Sequence, residues 1–445
     1  MSPAGGVGVA TWATRYRTSG CIHHRPNGDD FMNQHFITQI HIDKVRHLQN
    51  ITIPLSETTC KHLILTGKNG SGKTSVMEAL KAYLSIYTED SGTVNEFNWQ
   101  NRRMLENQQK IKSLMPLDSQ YKMVSEELKK SQEYINRFYQ GVTAQFNDKE
   151  SMQSRVYTGE YIFAYYEAER GYTAHNEKNV SKVDLKERYT IQEHPGQEFV
   201  KYILNLKTVG AMAEVGGQKE RAEEIKEWFQ RFDHVLQIIF DAPQSHLDFD
   251  IETFEFHIAV PGRKPFTFDT LSSGYAAVLD IVVDLMMRME KKAGKRYGLE
   301  GVVLIDEIEA HLHLELQKKI MPILTGIFPN IQFIVTTHSP FILNSIENTV
   351  IYDLANHMLV NTPEGLSNIP YDGIVEGYFK ASVLSDELQK KYERYKQLAC
   401  KQELTDDDYE EIADLEYYLD EIPDYLGLDF MADYKKLKLE LSQKE

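Results

Sequence analysis

Residues 67–75 read Gly-Lys-Asn-Gly-Ser-Gly-Lys-Thr-Ser, and their types and spacing suit a triphosphate. Gly67, Gly70 and Gly72 keep side-chain bulk out of the loop, so its backbone N–H groups can wrap an anion, with Lys68, Asn69 and Ser71 between them. Lys73 can reach the β- and γ-phosphates and Thr74 can hold Mg²⁺. Ser75 continues into a helix whose positive end faces the anion. The apolar run Leu63–Thr66 precedes the loop and a helical pattern with Val76, Ala79, Leu80 and Leu84 on one face follows it. This strand–loop–helix setting separates a nucleotide site from an ordinary glycine-rich turn. Binding of ATP or GTP follows from it.

Three further runs carry chemistry. GVVLIDEIEAHLH (301–313) is an apolar strand that delivers Asp306 and Glu307 at its end. The first carboxylate can bind Mg²⁺ and the second can orient an attacking water. IQFIVTTHSPFIL (331–343) is a second buried strand, ending in Thr336, Thr337 and His338. The C-terminal ends of strands are where an α/β sheet receives ligands, so His338 can hydrogen-bond a γ-phosphate. DTLSSGYAAVLDIVVDLMMR (269–288) begins a helix with Ser272, Ser273 and Gly274. Hydroxyls and N–H groups at a helix start suit an anion, although alone such a run is an ordinary N-cap.

The elements that must position these residues are legible from their periodicity. Residues 36–55 alternate apolar and polar, predicting a two-stranded hairpin before the loop strand at 62–66. Residues 88–160 are polar, with 119–138 reading as a solvated helix, one arm of a short helical pair. An apolar run begins at Tyr161, residues 173–200 read as a mobile charged excursion, and helices are predicted over 196–214 and 218–240. Strands near 246–260 and 265–269, a helix over 271–293, a strand at 301–306, a helix at 314–327 and a strand at 331–336 complete the pattern. Strands flanked by helices, with the phosphate loop on an early one, indicate an α/β sheet that is at least partly parallel. The acid-tipped strand is expected beside the loop strand.

Composition narrows the class. The 445 residues are 42% apolar, enough for a sizeable core, and the net charge of −17 argues against a plain basic nucleic-acid binder. Cys21, Cys60 and Cys400 lie far apart, which excludes a disulfide scaffold or zinc hook and fits a reducing cytoplasm. No apolar stretch approaches the roughly 18 residues of a membrane helix, so no membrane association is expected of this chain and transporter work is improbable, although a separate membrane partner is conceivable. The first 31 residues lack periodicity and a signal-peptide core, which points to Met32 as the working start and residues 1–35 as a disordered or mis-called leader.

In the order phosphate loop, LSSGY, LIDE, TTHSP, the chain resembles ATP-binding-cassette (ABC-type) ATPase heads of the RecF/SMC/OLD-like class. Within that class it is similar to stand-alone prokaryotic "AAA family" proteins. The resemblance covers residues 36–350. It implies an ABC-type P-loop head with a mixed or parallel sheet and flanking helices. An N-terminal lobe would span 36–100, a mainly helical insertion 101–245 with a strand near 161–166, and a C-terminal lobe 246–355. An acidic helical tail would occupy 356–445. It implies ATP and Mg²⁺ as ligands, with Thr74 and Asp306 on the metal, Lys73, Glu307 and His338 at the reacting phosphate, and Glu307 as catalytic base. Ser272, Ser273 and Gly274 would close over ATP held by another copy, giving a homodimer or higher homo-oligomer. Ser273 and Tyr275 depart from the transporter-like LSGGQ form. Glu169 and Arg170 stand near the point where family members carry a Mg²⁺-sensing glutamine.

About 200 residues separate phosphate loop and signature, room for a short arm but not for the long coiled coils of SMC proteins. A built-in TOPRIM nuclease would have to use Glu376 and the Asp406–Asp408 cluster. The latter follows Thr405 in a helical context, where Asp favours the first turn. The 381–445 tail holds 18 Asp/Glu against 9 Lys/Arg with spacings for two or three amphipathic helices. It resembles, in composition, the tails of Septu PtuA-like, retron-associated and PARIS AriA-like ATPases. That resemblance implies anti-phage defence, a separate HNH or TOPRIM-type nuclease partner, and a DNA or phage-protein trigger. The alternatives are a RecF-like repair ATPase gripping DNA through Lys182, Lys186, Arg188 and Lys201, and a nucleotide-gated scaffold with little hydrolysis.

Overall fold

The computed structural model describes residues 34–116, 119–170, 180–292, 297–361, 366, 368–369, 373–374, 386–401, 404–422 and 428–442. Met32 with its leader, and Glu376, lie outside the described residues. The chain divides into two compact units, 1–367 and 368–445.

In chain order the first unit contains β1 (Ile37–Val45), β2 (Leu48–Pro54), β3 (His62–Thr66), α1 (Lys73–Ser85), α2 (Ser91–Ile111), α3 (Ser119–Ile135), β4 (Val142–Phe146), α4 (Lys149–Thr158) and β5 (Tyr161–Tyr166). There follow α5 (Phe199–Val215), α6 (Lys219–Phe240), β6 (His246–Phe249), β7 (Phe256–Ala259), α7 (Ser273–Met289), β8 (Glu300–Ile305), α8 (Leu314–Ile327), β9 (Ile331–Thr336), the one-turn α9 (Pro340–Leu343), β10 (Thr349–Asp353) and β11 (Met358–Val360).

The main sheet has the order β11-β10-β3-β9-β8-β5, parallel from β10 through β5, with β11 antiparallel at its edge. β3, β8 and β9 are mostly apolar and buried along nearly their whole length because strands inside a parallel sheet are covered on both faces. A second, antiparallel sheet, β2-β1-β4, shares its core with the main sheet and α1 through Ile40, Ile42, Leu63, Leu65, Val76, Leu80, Val302 and Leu304. Buried Gln332 on β9 links the two sheets. Its side chain accepts the Ile37 N–H at 2.8 Å and donates to the Ile37 and Lys61 carbonyls at 3.0 and 2.7 Å.

Several expectations need correction. The acid-tipped strand β8 does not pair with the loop strand β3, because β9 lies between them. Within the expected helical insertion, the strand expected near 161–166 is present as β5, which pairs with β8, but a further strand, β4, pairs with β1 where none was expected. The helical arm is real but confined to α2 and α3, which pack on each other. The β10–β11 hairpin keeps residues up to Val360 in the head, so the division falls after the tail's expected start at 356. Phe266 makes an isolated bridge to Ile258 in place of a strand at 265–269.

Of the expected mobile excursion, residues 171–179 lie outside the described residues, and the part from 180 onward is anchored. Ile191 is fully buried, and Arg288 donates to the carbonyls of Thr190 (3.0 Å) and Glu193. Arg288 also pairs with Asp284 inside the core at 2.8 Å, and Asp284 accepts the Tyr166 hydroxyl at 2.8 Å.

The second unit consists of α10 (Asp386–Ala399), α11 (Asp406–Asp420) and α12 (Leu428–Ser442), packed around Tyr395, Leu398, Ile412, Leu419 and Tyr434. Thr405 and Asp408 form a capping box at the start of α11, and Asp408 also pairs with Lys401. The Asp cluster thus serves a helix start.

Candidate nucleoside-triphosphate site

The loop between β3 and α1 is shaped by its glycines. Gly67, Gly70 and Gly72 have φ values of 133°, 79° and 97°, a region that a β-carbon disfavours. At Gly67 a β-carbon would also come within 2.9 Å of the Ser71 hydroxyl and 3.1 Å of the Asp353 carboxylate. Lys68, Asn69 and Gly70 are exposed at the rim, and Thr74 is exposed in the first turn of α1 with Ser75 half-buried beside it. The Lys73 ammonium is 5% exposed and donates to the Gly67 carbonyl at 2.8 Å, spanning the mouth of the loop. The buried Ser71 hydroxyl has no partner among the described residues. Burial lowers the Lys73 pKa, while the charges of Glu307, Glu309, Asp306 and Asp353 oppose that shift.

The acidic turn lies at the same edge of the sheet, because β3, β9 and β8 are parallel neighbours ending together. Asp306, 2% exposed, accepts the Thr336 hydroxyl at 2.5 Å. The same hydroxyl oxygen accepts the Glu307 N–H at 2.7 Å. Glu307 adopts φ 42°, a left-handed conformation that costs a residue with a β-carbon on the order of 1 kcal/mol or more. The turn is further gripped by Arg170, 9% exposed, just beyond β5. Nη1 donates to the carbonyls of Asp306 (2.7 Å) and Glu167 (2.9 Å), and Nη2 to those of Glu307 (2.9 Å) and Ile308 (2.8 Å). Near the point expected for a Mg²⁺-sensing side chain, then, a guanidinium holds backbone, while Glu169 is exposed.

His338 follows β9 by two residues. Its N–H donates to a Glu309 carboxylate oxygen, and the other Glu309 oxygen is buried with no partner among the described residues. Burial, followed by the positive charge of Lys73, lowers the His338 pKa against the opposing carboxylates Glu309, Glu307 and Asp306. The net effect favours the neutral imidazole. Sequence reasoning did not single out Glu309, Thr336 as a bridge, or Asp353. Each is a polar residue at the end of an apolar strand or one turn beyond it, the only signal available.

The signature run forms the start of α7. Ser272 is the N-cap, and its side chain makes no capping bond, leaving Ser272 and Ser273 exposed. Gly274 is buried against the turn that follows the acid pair. A β-carbon there would meet the His311 carbonyl at 3.1 Å and Leu316 at 3.2 Å. Tyr275, where the transporter-like form has a polar amide, packs on Phe240 at 4.6 Å and on His313 at 6.2 Å. The four cations expected to form a basic stripe are engaged locally. Lys182 pairs with Asp184, Lys186 with Glu193 and Lys201 with Glu198, and Arg188 lies over Tyr157.

A parallel sheet with a glycine-rich lysine loop on one strand, an acid pair two strands away and a threonine–histidine strand between them defines a P-loop ATPase domain. Residues 63–344 match the family described as "AAA domain, putative AbiEii toxin, Type IV TA system", and the chain belongs to that family.

Among curated proteins, it is 32% identical over 143 residues to "Retron Ec83 probable ATPase" of Escherichia coli, covering 31% of this chain and 26% of that one. It is 30% identical over 194 residues to "Septu protein PtuA" of Bacillus mycoides, covering 40% and 27%. "Retron Vc95 probable ATPase" of Vibrio cholerae matches at 23% over 356 residues, covering 65% and 68%. The matched part thus spans only 26% and 27% of the first two relatives. An SMC head bound to the C-winged helix domain of ScpA aligns over 72% of this chain and 94% of that one. Its identity is 15% and its TM-score 0.33, too low to carry an argument. No described helix is long and apolar enough to cross a membrane.

Proposed function

We propose that this chain hydrolyses ATP at the β3–α1 loop and assembles into a homodimer or higher homo-oligomer through ATP sandwiched between copies. In this reading it controls a separate HNH or TOPRIM-type nuclease in cytoplasmic anti-phage defence. The observation that carries the hydrolytic part is the convergence of three parallel strand ends, bringing Lys73, Asp306, Glu307 and His338 to one edge. The defence role and the nuclease are supported by the likeness to retron and Septu proteins.

The loop fits a phosphate chain. Its glycines hold the loop in backbone conformations that a β-carbon disfavours, the Ser71 hydroxyl is buried without a partner among the described residues, and Lys73 rests on a loop carbonyl it can exchange for phosphate oxygens. Thr74 and Asp306 would hold Mg²⁺, which when bound screens the phosphate charge. Glu307 accepts a proton from, and aligns, the water that attacks the γ-phosphate in line, and Lys73 offsets charge on the transferred group. Neutral His338 can donate a hydrogen bond to that group without adding a full charge. The exposed hydroxyls of Ser272 and Ser273 on a second copy would complete the site.

The test uses Lys73→Ala and Glu307→Gln. Lys73→Ala should lose nucleotide binding. Glu307→Gln should bind ATP, lose turnover by roughly 10²–10⁴-fold, and elute as an ATP-dependent assembly. Wild-type turnover by both variants would refute the site. Assembly on ATP with negligible wild-type turnover would favour a nucleotide-gated scaffold instead. Co-expression with the neighbouring genes should yield a co-purifying nuclease, and its absence would remove the defence part of the reading.

A further inference from the structure

Among the described residues of the head, Arg170 is a buried cation that belongs to no motif, yet its bonds run to the acidic turn. Three consecutive carbonyls, those of Asp306, Glu307 and Ile308, accept from its two terminal nitrogens. A fourth bond to the Glu167 carbonyl fixes the guanidinium to the chain just beyond β5. Consecutive carbonyls in a regular strand point to alternate edges and so do not meet one atom group. They do so here because Glu307 is left-handed, which turns the peptide groups on either side of it to the same flank. A planar guanidinium, with several donors in a fixed fork, can bind such a cluster of acceptors, whereas a point-like ammonium cannot span it. Burial lowers the Arg170 pKa to about 10, with Asp280, Glu309, Asp306 and Glu307 opposing the shift, so the group stays charged at pH 7.

We propose that Arg170 is a positioning residue for ATP hydrolysis. By clamping the carbonyls of residues 306–308 it holds the left-handed turn from which the Glu307 carboxylate is presented, and it acts on the reacting water only through Glu307. The Thr336 hydroxyl holds the N–H side of the same turn, so the backbone of Glu307 is fixed from both ends. Because the terminal nitrogens of Arg170 are committed to carbonyls, the residue contributes to hydrolysis without binding nucleotide. This inference rests on the assignment of Glu307 as the base.

The experiment compares Arg170→Ala and Arg170→Lys in the wild-type chain and in the Glu307→Gln chain, measuring nucleotide Kd and single-turnover hydrolysis. In the wild-type background Arg170→Ala should lower hydrolysis on the order of a hundredfold, the scale of an ångström-level misplacement, with Kd changed by less than about threefold. In the Glu307→Gln background the same substitution should change hydrolysis by less than about threefold, since the group it positions is already disabled. Equal losses in both backgrounds, or a Kd that weakens in step with turnover, would overturn the inference. Normal turnover by Glu307→Gln would overturn the base assignment and the inference together. Should Arg170→Ala fail to fold, Arg170→Lys, which keeps the buried charge, decides. A tenfold or greater loss, roughly, with intact Kd is expected, and wild-type turnover would overturn the inference.

Discussion

Thr336, at the end of β9, donates its hydroxyl hydrogen to the carboxylate of Asp306, at the end of β8, across 2.5 Å. The two acidic residues are therefore referenced to the strand that lies between them and the phosphate loop. Because the Thr336 oxygen also accepts the Glu307 N–H, one hydroxyl sets the positions of both. Thr336→Val keeps the shape of the side chain and removes both bonds. Leaving the Glu307 N–H without an acceptor should cost about 1–3 kcal/mol in denaturant unfolding. It should also lower ATP turnover by at least roughly tenfold while nucleotide binding persists. Unchanged turnover in Thr336→Val would show that the bridge has no part in hydrolysis.

Ser273 tests the contact between copies. It is exposed at the start of α7, so Ser273→Arg introduces no clash within its own chain. If this helix start meets the triphosphate of a second copy, Ser273→Arg combined with Glu307→Gln should still bind ATP yet remain monomeric by light scattering. An ATP-dependent dimer of normal stability in that double variant would place the contact elsewhere.

Burial of His62 should make the head sensitive to acid. It starts β3, its Nδ1 accepts the Phe333 N–H at 3.1 Å, and its ring lies 5.8 Å from that of Phe333. Burial lowers its pKa from 6.5 to about 4. Between those values the unfolded chain holds a proton that the folded chain does not, so stability falls as pH drops from about 6.5 towards 4, by about 3 kcal/mol over the full window. His62→Gln retains an acceptor but does not titrate. Its unfolding free energy should depend less steeply on pH across this window, as measured by urea denaturation at pH 7 and 4.5. Equal pH dependence in the two proteins would exclude His62 as the source.

The phosphate loop, the acid-tipped strand, the threonine–histidine strand and the signature helix were legible because each is a short run whose apolar period and terminal residues announce a local element. Helix α2 was harder. Its apolar residues are sparse, and its clearest sign is Asp90, whose carboxylate accepts the N–H groups of Gly92 and Thr93 as an N-cap. β4 has only five residues and alternates too briefly to distinguish from its polar surroundings. The expectation that β8 lies beside β3 failed for another reason. Parallel strands are joined by long crossovers, so sequence order does not give spatial order.

By itself the sequence determined which side chains could meet a triphosphate, since a glycine-rich lysine loop and an acid pair act through residue type and spacing over a few positions. Only the tertiary structure decided that β9 stands between those two motifs, that Thr336 ties down the acid pair, and that Arg170 clamps the turn carrying Glu307. The Arg170 contacts join residues 136 to 138 positions apart. A buried cation's choice among carbonyls is fixed by which backbone groups the packed sheet leaves without ladder partners, and no local pattern along the chain encodes that choice.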